Sequence, residues 1–219
     1  MRVIVVADIH GNNEKLRKAL KSVSLKKTDK LILLGDLIDR GKNTKDVLDT
    51  IILLKKSGFE DIIIIRGNHE QMLLDSVKDE NKEYVWLKNG GDKTLQSFRV
   101  NFSNQIPQLY IDLIESSVYY YEYLNYLFVH AGINFELDNP FKDIQTLLWT
   151  RDMSLINFRK SKFSDKKIIH GHTPIERSKI IESFTKIEIL NLDNGVYLER
   201  EGYGKLTIVD LTNQKINFI

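Results

Sequence analysis

The chain has 219 residues with 42% hydrophobic and 28% charged content, which suits one soluble globular domain with a substantial core. It contains no cysteine, so disulfides, thiolate nucleophiles and cysteine-ligated zinc are excluded. Its 32 basic and 30 acidic residues leave no charge excess for a stable nucleic-acid complex, and the lack of a long apolar segment predicts a cytoplasmic protein without a membrane span or signal peptide.

Three short β-branched runs near the N-terminus predict buried strands at residues 3–7, 31–34 and 62–65. Helical patterns at residues 13–23 and 44–57 lie between them. This βαβαβ order predicts a parallel sheet with crossover helices. Each predicted strand is followed by a cluster of polar residues. Because ligands bind at the carboxyl ends of strands in open α/β sheets, we expect these clusters to meet at one edge.

The second half of the chain is predicted to be rich in β-structure. Residues 70–117 have a mainly helical pattern, which predicts a helical cap inserted before that half. Further strand-like runs follow at residues 118–121, 126–129, 167–169, 186–190, 196–198 and 205–209. The predicted fold is therefore α/β, with two mixed β-sheets packed as a central sandwich flanked by helices, in a single domain over residues 1–219.

The histidines are the strongest functional signal. All five follow predicted strands, at His10, His69, His130, His170 and His172. One such histidine is usually structural, but five beside carboxylates favour metal chemistry. Water can attack a phosphate ester when two divalent ions about 4 Å apart activate it and neutralise phosphoryl charge. Oxygen and nitrogen ligands without thiolate favour manganese, with iron and zinc as alternatives.

Five ordered blocks carry a resemblance to a known family. They are Asp8-Ile-His10, Gly35-Asp36-Leu-Ile-Asp39-Arg40-Gly41, Gly67-Asn68-His69-Glu70, His130-Ala-Gly132 and Gly171-His172-Thr173. These blocks resemble the motifs of calcineurin-like metallophosphoesterases, from the N-terminus to about residue 195. The second and third blocks resemble the phosphoprotein phosphatase branch, which includes small bacterial and phage serine/threonine protein phosphatases.

The resemblance implies a role for ten residues. Six would hold two ions: Asp8, His10 and Asp36 the first, with Asp36 bridging to the second, and Asn68, His130 and His172 the second. Four would act on the substrate: His69 as the general acid, Asp39 as the carboxylate that orients it, and Arg40 and Arg151 as phosphate-binding groups. Water activated by the ions would attack phosphorus directly, without a covalent intermediate on the protein.

Several assignments have alternatives. His170 is expected to be structural, although it stands two residues before His172 and could compete as the ligand. Glu70 is expected to serve as a helix N-terminal carboxylate, and Arg151 could be a surface residue. Pro174 occupies a position where many members of the superfamily have a further histidine. Asn89-Gly90-Gly91 with Thr94, and Asp193-Asn194-Gly195, also resemble the family and are expected to be structural.

The motifs suit two classes of substrate. The first is phosphoserine and phosphothreonine in proteins, with phosphotyrosine as an extension. The second is diadenosine tetraphosphate, cleaved symmetrically, or a related nucleoside polyphosphate such as an RNA cap. Both need the same metal core, and the sequence does not assign an oligomeric state.

Overall fold

The computed structural model describes residues 1–186 and 188–219. In chain order its strands are β1 (Val3–Val6), β2 (Lys30–Leu33), β3 (Ile62–Ile64), β4 (Tyr120–Tyr123), β5 (Tyr126–Val129), β6 (Lys167–His170), β7 (Ile189–Asn191), β8 (Thr207–Asp210) and β9 (Lys215–Phe218). The first sheet has the order β3-β2-β1-β8-β9 and the second β4-β5-β6-β7. Two mixed sheets are thus confirmed.

Helices connect and cover these strands. They are α1 (Asn13–Ser22), α2 (Thr44–Lys56), α3 (Asn68–Lys78), α4 (Glu83–Trp86), α5 (Asp92–Phe98), α6 (Gln108–Glu115), α7 (Ile144–Trp149), α8 (Leu155–Lys160) and α9 (Arg177–Lys186). The helices expected between β3 and β4 are present, and the chain breaks its helical path at Gly90, where φ is 104°. No helix within residues 1–186 and 188–219 is long and apolar enough to cross a bilayer.

The two sheets pack face to face through an apolar layer. Val5 and Ile32 are paired neighbours in the first sheet, and they share a buried cluster with Phe128, Ile169 and Leu190 of the second. These five side chains are fully buried. Since side chains alternate along a strand, the other face of each sheet is free to pack on helices.

The helices after β3 share the core on the outer face of the first sheet. Leu73 of α3 and Ile114 of α6 belong to the same buried cluster as Ile4 and Leu33 of the sheet. Trp86 of α4 is also buried in this cluster. This continuity supports our proposal that residues 1–219 form a single domain.

The strand directions bring the polar clusters to one edge. Strands β1, β2 and β3 are parallel, with Val6 opposite Leu33 and Leu33 opposite Ile64. In the second sheet, β5, β6 and β7 are also parallel. The loops that follow parallel strands leave at the same edge, so the predicted convergence of the first three clusters is confirmed.

Some predicted elements differ from the structure. The strand predicted at residues 196–198 was wrong, because Gly195 has a φ of 63° and its carbonyl accepts a turn hydrogen bond from the Leu198 N–H, 2.8 Å long. The run predicted at residues 186–190 includes residue 187, which lies outside the described residues; Lys186 ends α9. Helices α7 to α9 and strand β9 were not predicted, since short elements give little periodicity.

We expect Phe128→Ala to lower the free energy of unfolding by about 3–5 kcal/mol, because it leaves a cavity between the sheets. The matched control is Leu53→Ala on α2, where the side chain is 61% exposed and the expected change is within about 0.5 kcal/mol. Urea titration of both variants measures the difference. An equal effect of the two substitutions would contradict the interlayer position of Phe128.

Candidate metal centre

Side chains from the carboxyl ends of six parallel strands meet at one edge of the sandwich. In the first sheet, β1 is followed by Asp8 and His10, β2 by Asp36, Asp39 and Arg40, and β3 by Asn68, His69 and Glu70. In the second sheet, β5 is followed by His130, β6 by His172 and β7 by Asp193. Both sheets therefore contribute to the site. Every one of the predicted site residues except Arg151 lies within this group.

Asp36 joins two groups of imidazoles. Its Oδ2 lies 3.5 Å from His10 Nε2 and 3.9 Å from His69 Nε2. Its Oδ1 lies 3.4 Å from His130 Nε2. Two sets of donor atoms, each within 4.8 Å of one another, share this carboxylate: His10, Asp36 and His69 form one, and Asp36, His130 and His172 form the other. One oxygen thus faces each group.

Asn68 presents its side-chain oxygen to two imidazoles. Its Oδ1 is 3.1 Å from His130 Nε2 and 3.1 Å from His172 Nδ1. His130 Nδ1 is 2.8 Å from the carbonyl oxygen of Leu34, so the proton resides on Nδ1 and Nε2 keeps a lone pair. Asn68 Oδ1 and His130 Nε2 then face each other with lone pairs at 3.1 Å. These lone pairs repel each other unless a cation lies near both atoms.

Asp8, two residues before His10, contacts the loop that follows β6 of the second sheet. Its Oδ2 accepts a 3.0 Å hydrogen bond from the backbone N–H of His172. Its Oδ1 is buried and has no hydrogen-bond partner within residues 1–186 and 188–219, and the same holds for His69 Nε2 and His172 Nε2. Burial, and next the carboxylates of Asp193 and Asp36, raise the pKa of Asp8 well above its usual value. Unpartnered donor atoms beside uncompensated carboxylates fit divalent cations.

Three of the imidazoles are suited to act as neutral ligands. Burial lowers the pKa of His10 and His130, and it lowers the pKa of His172 to about 3. A neutral imidazole offers a lone pair to a metal ion, whereas a protonated one does not. His10 Nδ1 lies 2.9 Å from the carbonyl oxygen of Ile38, so the lone pair resides on Nε2, which faces Asp36.

His69 differs from the other imidazoles because it has a dedicated carboxylate partner. Its Nδ1 lies 2.7 Å from Asp39 Oδ2, and both side chains are fully buried. Burial alone would lower the pKa of His69, but Asp36 and Asp39 outweigh this effect and raise it above the usual value. His69 therefore carries a proton more readily than its neighbours, with Nε2 directed at the cluster.

The two arginines occupy different settings. Arg40 donates a 3.0 Å hydrogen bond to His10 Nε2, and its guanidinium lies 4.3 Å from the ring centre of Tyr197. Arg151 is exposed in the loop after α7, and its charge contributes to the lowered pKa of His172 after burial and His130. It also lines a cavity of about 310 Å³ together with His170 and Lys179.

His170 stands apart from both imidazole groups. It belongs to neither set of donor atoms, and its Nδ1 lies 3.1 Å from the carbonyl oxygen of Gly171. Burial lowers its pKa to about 4. His172, two residues later, faces Asn68 instead. The geometry therefore favours His172 over His170 as the candidate ligand, as expected from the sequence.

Glu70 holds the ends of β2 and β3 together. Its Oε2 accepts hydrogen bonds from the backbone N–H groups of Asp36 at 2.8 Å and Gly67 at 2.9 Å. Its Oε1 accepts a third from Leu37 at 2.8 Å. Burial, followed by Asp36, raises the pKa of Glu70 to about 7, against the opposing effect of these N–H donors. Glu70 thus fixes the loop that carries Asp36.

The backbone at the site is strained. Nine non-glycine residues in the described part of the chain have positive φ, and five of them belong to the site: His10, Asp36, Asp39, Arg40 and His172. Each such conformation costs on the order of 1–3 kcal/mol and persists only where the surroundings fix it. Strain concentrated at one edge is a feature of functional sites.

Four residues near the site were not assigned to it from the sequence. Asp193 is buried beside Asp8 and influences its pKa. Tyr197 was placed in a predicted strand, yet its ring lies 5.0 Å from that of His10. Trp86 and Thr94 donate hydrogen bonds to Asp39. The family resemblance had marked Asp193 and Thr94 as structural, and no local pattern points to Trp86 or Tyr197.

Comparison with known proteins identifies the family to which the chain is similar. The profile of the family described as calcineurin-like phosphoesterase matches residues 1–201. Serine/threonine-protein phosphatase 1 of Salmonella typhimurium is 33% identical over 182 residues, covering 80% of this chain and 80% of that protein. The asymmetrical bis(5'-nucleosyl)-tetraphosphatase PrpE of a Geobacillus species is 22% identical over 220 residues, covering 89% and 86%.

The fold also matches a solved structure. A serine/threonine phosphatase from Saccharomyces cerevisiae superposes with a TM-score of 0.70 at 16% identity, covering 100% of this chain and 79% of that one. At this level of identity the likeness concerns the fold alone.

We expect Glu70→Gln to destabilise the protein by about 1.5–3 kcal/mol. The side-chain NH₂ of glutamine is a hydrogen-bond donor, and it would meet a backbone N–H group that is also a donor. The measurement is urea unfolding at pH 8, above the pKa of Glu70. Glu115→Gln, at an exposed position on α6, is the matched control and should change little. Equal stability of the two variants would show that Glu70 does not hold these loops.

Proposed function

We propose that this chain, a member of the calcineurin-like phosphoesterase family, hydrolyses phosphoserine and phosphothreonine esters in proteins. The single observation that carries the proposal is the Asp36 carboxylate shared by two imidazole groups, with the His69–Asp39 pair beside it. Phosphotyrosine is a further candidate substrate. Family membership makes the chain a metal-dependent hydrolase, and the protein substrate is our inference from the phosphatase relative.

Six residues are proposed to hold the two divalent ions. The first ion would be held by Asp8, His10 and Asp36, and the second by Asp36, Asn68, His130 and His172. When bound, the ions supply charge neutralisation for the phosphate and lower the pKa of water. We propose manganese, because the available donors are oxygen and nitrogen without thiolate.

The remaining groups act on the phosphate ester itself. Arg40 and Arg151 would bind the phosphoryl oxygens through charge-assisted hydrogen bonds. His69 would give its Nε2 proton to the leaving oxygen, while Asp39 holds the opposite side of the ring. The raised pKa of His69 supports this role, because the acid must be protonated when the ester bond breaks. Water attacks phosphorus directly, so no protein residue is phosphorylated.

One experiment tests the roles of His69 as the acid and of Asp36 as the shared metal ligand. We expect His69→Asn to lower kcat by roughly 10²–10⁴-fold while the metal content of the purified protein stays at the wild-type level. Asp36→Asn should instead reduce binding of both ions, since one carboxylate serves both groups. Elemental analysis after dialysis, together with steady-state kinetics, measures both effects. Loss of metal from the His69 variant would make His69 a ligand, and full dimetal occupancy in the Asp36 variant would remove it from the bridge.

A second candidate function is hydrolysis of a dinucleoside tetraphosphate. The observation that favours it is the cavity lined by His170, where the cationic Arg151 and Lys179 share the lining with Asp152. Two cations at one cavity could bind the further phosphates of such a substrate. The relative named bis(5'-nucleosyl)-tetraphosphatase is compatible with this alternative, although its name specifies asymmetrical cleavage rather than the symmetrical cleavage considered for this chain.

The two functions predict different substrate preferences. We expect kcat/KM for a phosphoserine peptide to exceed that for diadenosine tetraphosphate by at least about tenfold at equal concentrations of manganese-loaded enzyme. Lys179→Ala should leave the peptide reaction unchanged, because the peptide needs no second phosphate site. A preference for the dinucleotide that Lys179→Ala abolishes would replace the leading proposal with the alternative.

A further inference from the structure

The segment from Trp86 to Thr94 contacts the loop that carries Asp39 and Arg40. It runs from the end of α4 through Gly90 to α5, and it approaches the site from the helical side rather than from a strand end. We call residues 86–94 the clamp segment. The sequence resemblance gave this segment only a structural role.

Asp39 is held by three side-chain donors, and two of them come from the clamp segment. Its Oδ2 accepts from His69 Nδ1 at 2.7 Å and from Trp86 Nε1 at 2.9 Å. Its Oδ1 accepts from Thr94 Oγ1 at 2.6 Å. Asp39 and Thr94 are fully buried, as is Trp86. Both oxygens of this carboxylate are thus fixed, and the carboxylate cannot rotate without leaving a buried donor unpaired.

Gly90 brings the clamp segment close to the loop, and Gly91 makes room for the indole of Trp86. The carbonyl of Gly90 accepts a 3.1 Å hydrogen bond from the backbone N–H of Arg40. A Cβ added at Gly90 would lie 2.9 Å from Arg40 Cγ, and one at Gly91 would lie 2.4 Å from the indole of Trp86. Glycine at both positions allows an approach that any other residue would block.

The orientation of His69 depends on the orientation of Asp39. The buried Nε2 of His69 has no hydrogen-bond partner among the described residues, so its direction is set from the Nδ1 side. If Asp39 lost the support of Trp86 or Thr94, its carboxylate could turn, and the imidazole would follow it. A small misdirection of a proton donor is expected to slow proton transfer.

We propose that Trp86 and Thr94 are positioning residues for the acid: they fix Asp39 and, through it, the direction of His69 Nε2. The clamp segment also positions Arg40 through the carbonyl of Gly90. This inference rests on the proposed function of His69. It assigns to the helical segment a part in the reaction rather than in folding alone.

The test compares two leaving groups. A phosphoserine peptide releases an alkoxide that needs a proton, whereas p-nitrophenyl phosphate releases an anion that departs without one. Thr94→Val removes the hydroxyl at nearly constant shape, whereas Thr94→Ser keeps the hydroxyl. Trp86→Phe removes the indole N–H. Thr185→Val, at an exposed position on α9, is the matched control, and His69→Asn is the reference for loss of the acid.

We expect Thr94→Val and Trp86→Phe to lower kcat for the peptide at least about tenfold and kcat for p-nitrophenyl phosphate less than about threefold. Metal content should match the wild type, Thr94→Ser should recover most of the peptide rate, and Thr185→Val should change neither rate. If His69→Asn shows this selectivity and the clamp variants lower both rates equally, the clamp segment is structural only. If His69→Asn itself lowers both rates equally, the acid role fails and the positioning role fails with it.

Discussion

The site depends on Glu70, a buried carboxylate that accepts hydrogen bonds from three backbone N–H groups. These groups lie at the ends of two neighbouring strands, so one side chain fixes the distance between the loops that carry Asp36 and Asn68. Asp36 has a φ of 48°, a conformation that the free loop would avoid. The hydrogen bonds to Glu70 offset this strain, and they place the Asp36 carboxylate where imidazoles from both sheets can reach it.

The charges of the site are in balance only when a cation is considered. Asp8, Asp36 and Asp193 are buried near one another, and burial keeps the facing imidazoles of His10, His130 and His172 neutral. Such a group of carboxylates is costly without compensating charge. Among the imidazoles, His69 has a raised pKa because, against the effect of burial, it is close to Asp36 and also pairs with a second carboxylate, Asp39.

Residues that follow strands could be predicted from the sequence, because a short apolar run fixes where the next polar side chains emerge. Asp36, Asn68 and His130 are of this kind, and the parallel strands β1, β2 and β3 were predicted in the same way. Trp86 and Thr94 are not, because their contact with Asp39 joins residues about 50 positions apart through helices whose packing no local pattern encodes. Tyr197 was missed for another reason: a run of apolar residues at a turn gives the same pattern as a short strand.

The apolar layer between the sheets has a consequence for how the protein can change. Asp36 follows β2 of the first sheet and His130 follows β5 of the second, and Phe128 and Ile169 belong to the apolar layer between the two sheets. A side chain of different volume in that layer would shift one half of the site relative to the other, and interiors transmit such shifts because they are close-packed. Substitutions in this core are therefore constrained by turnover as well as by stability, although its side chains are buried.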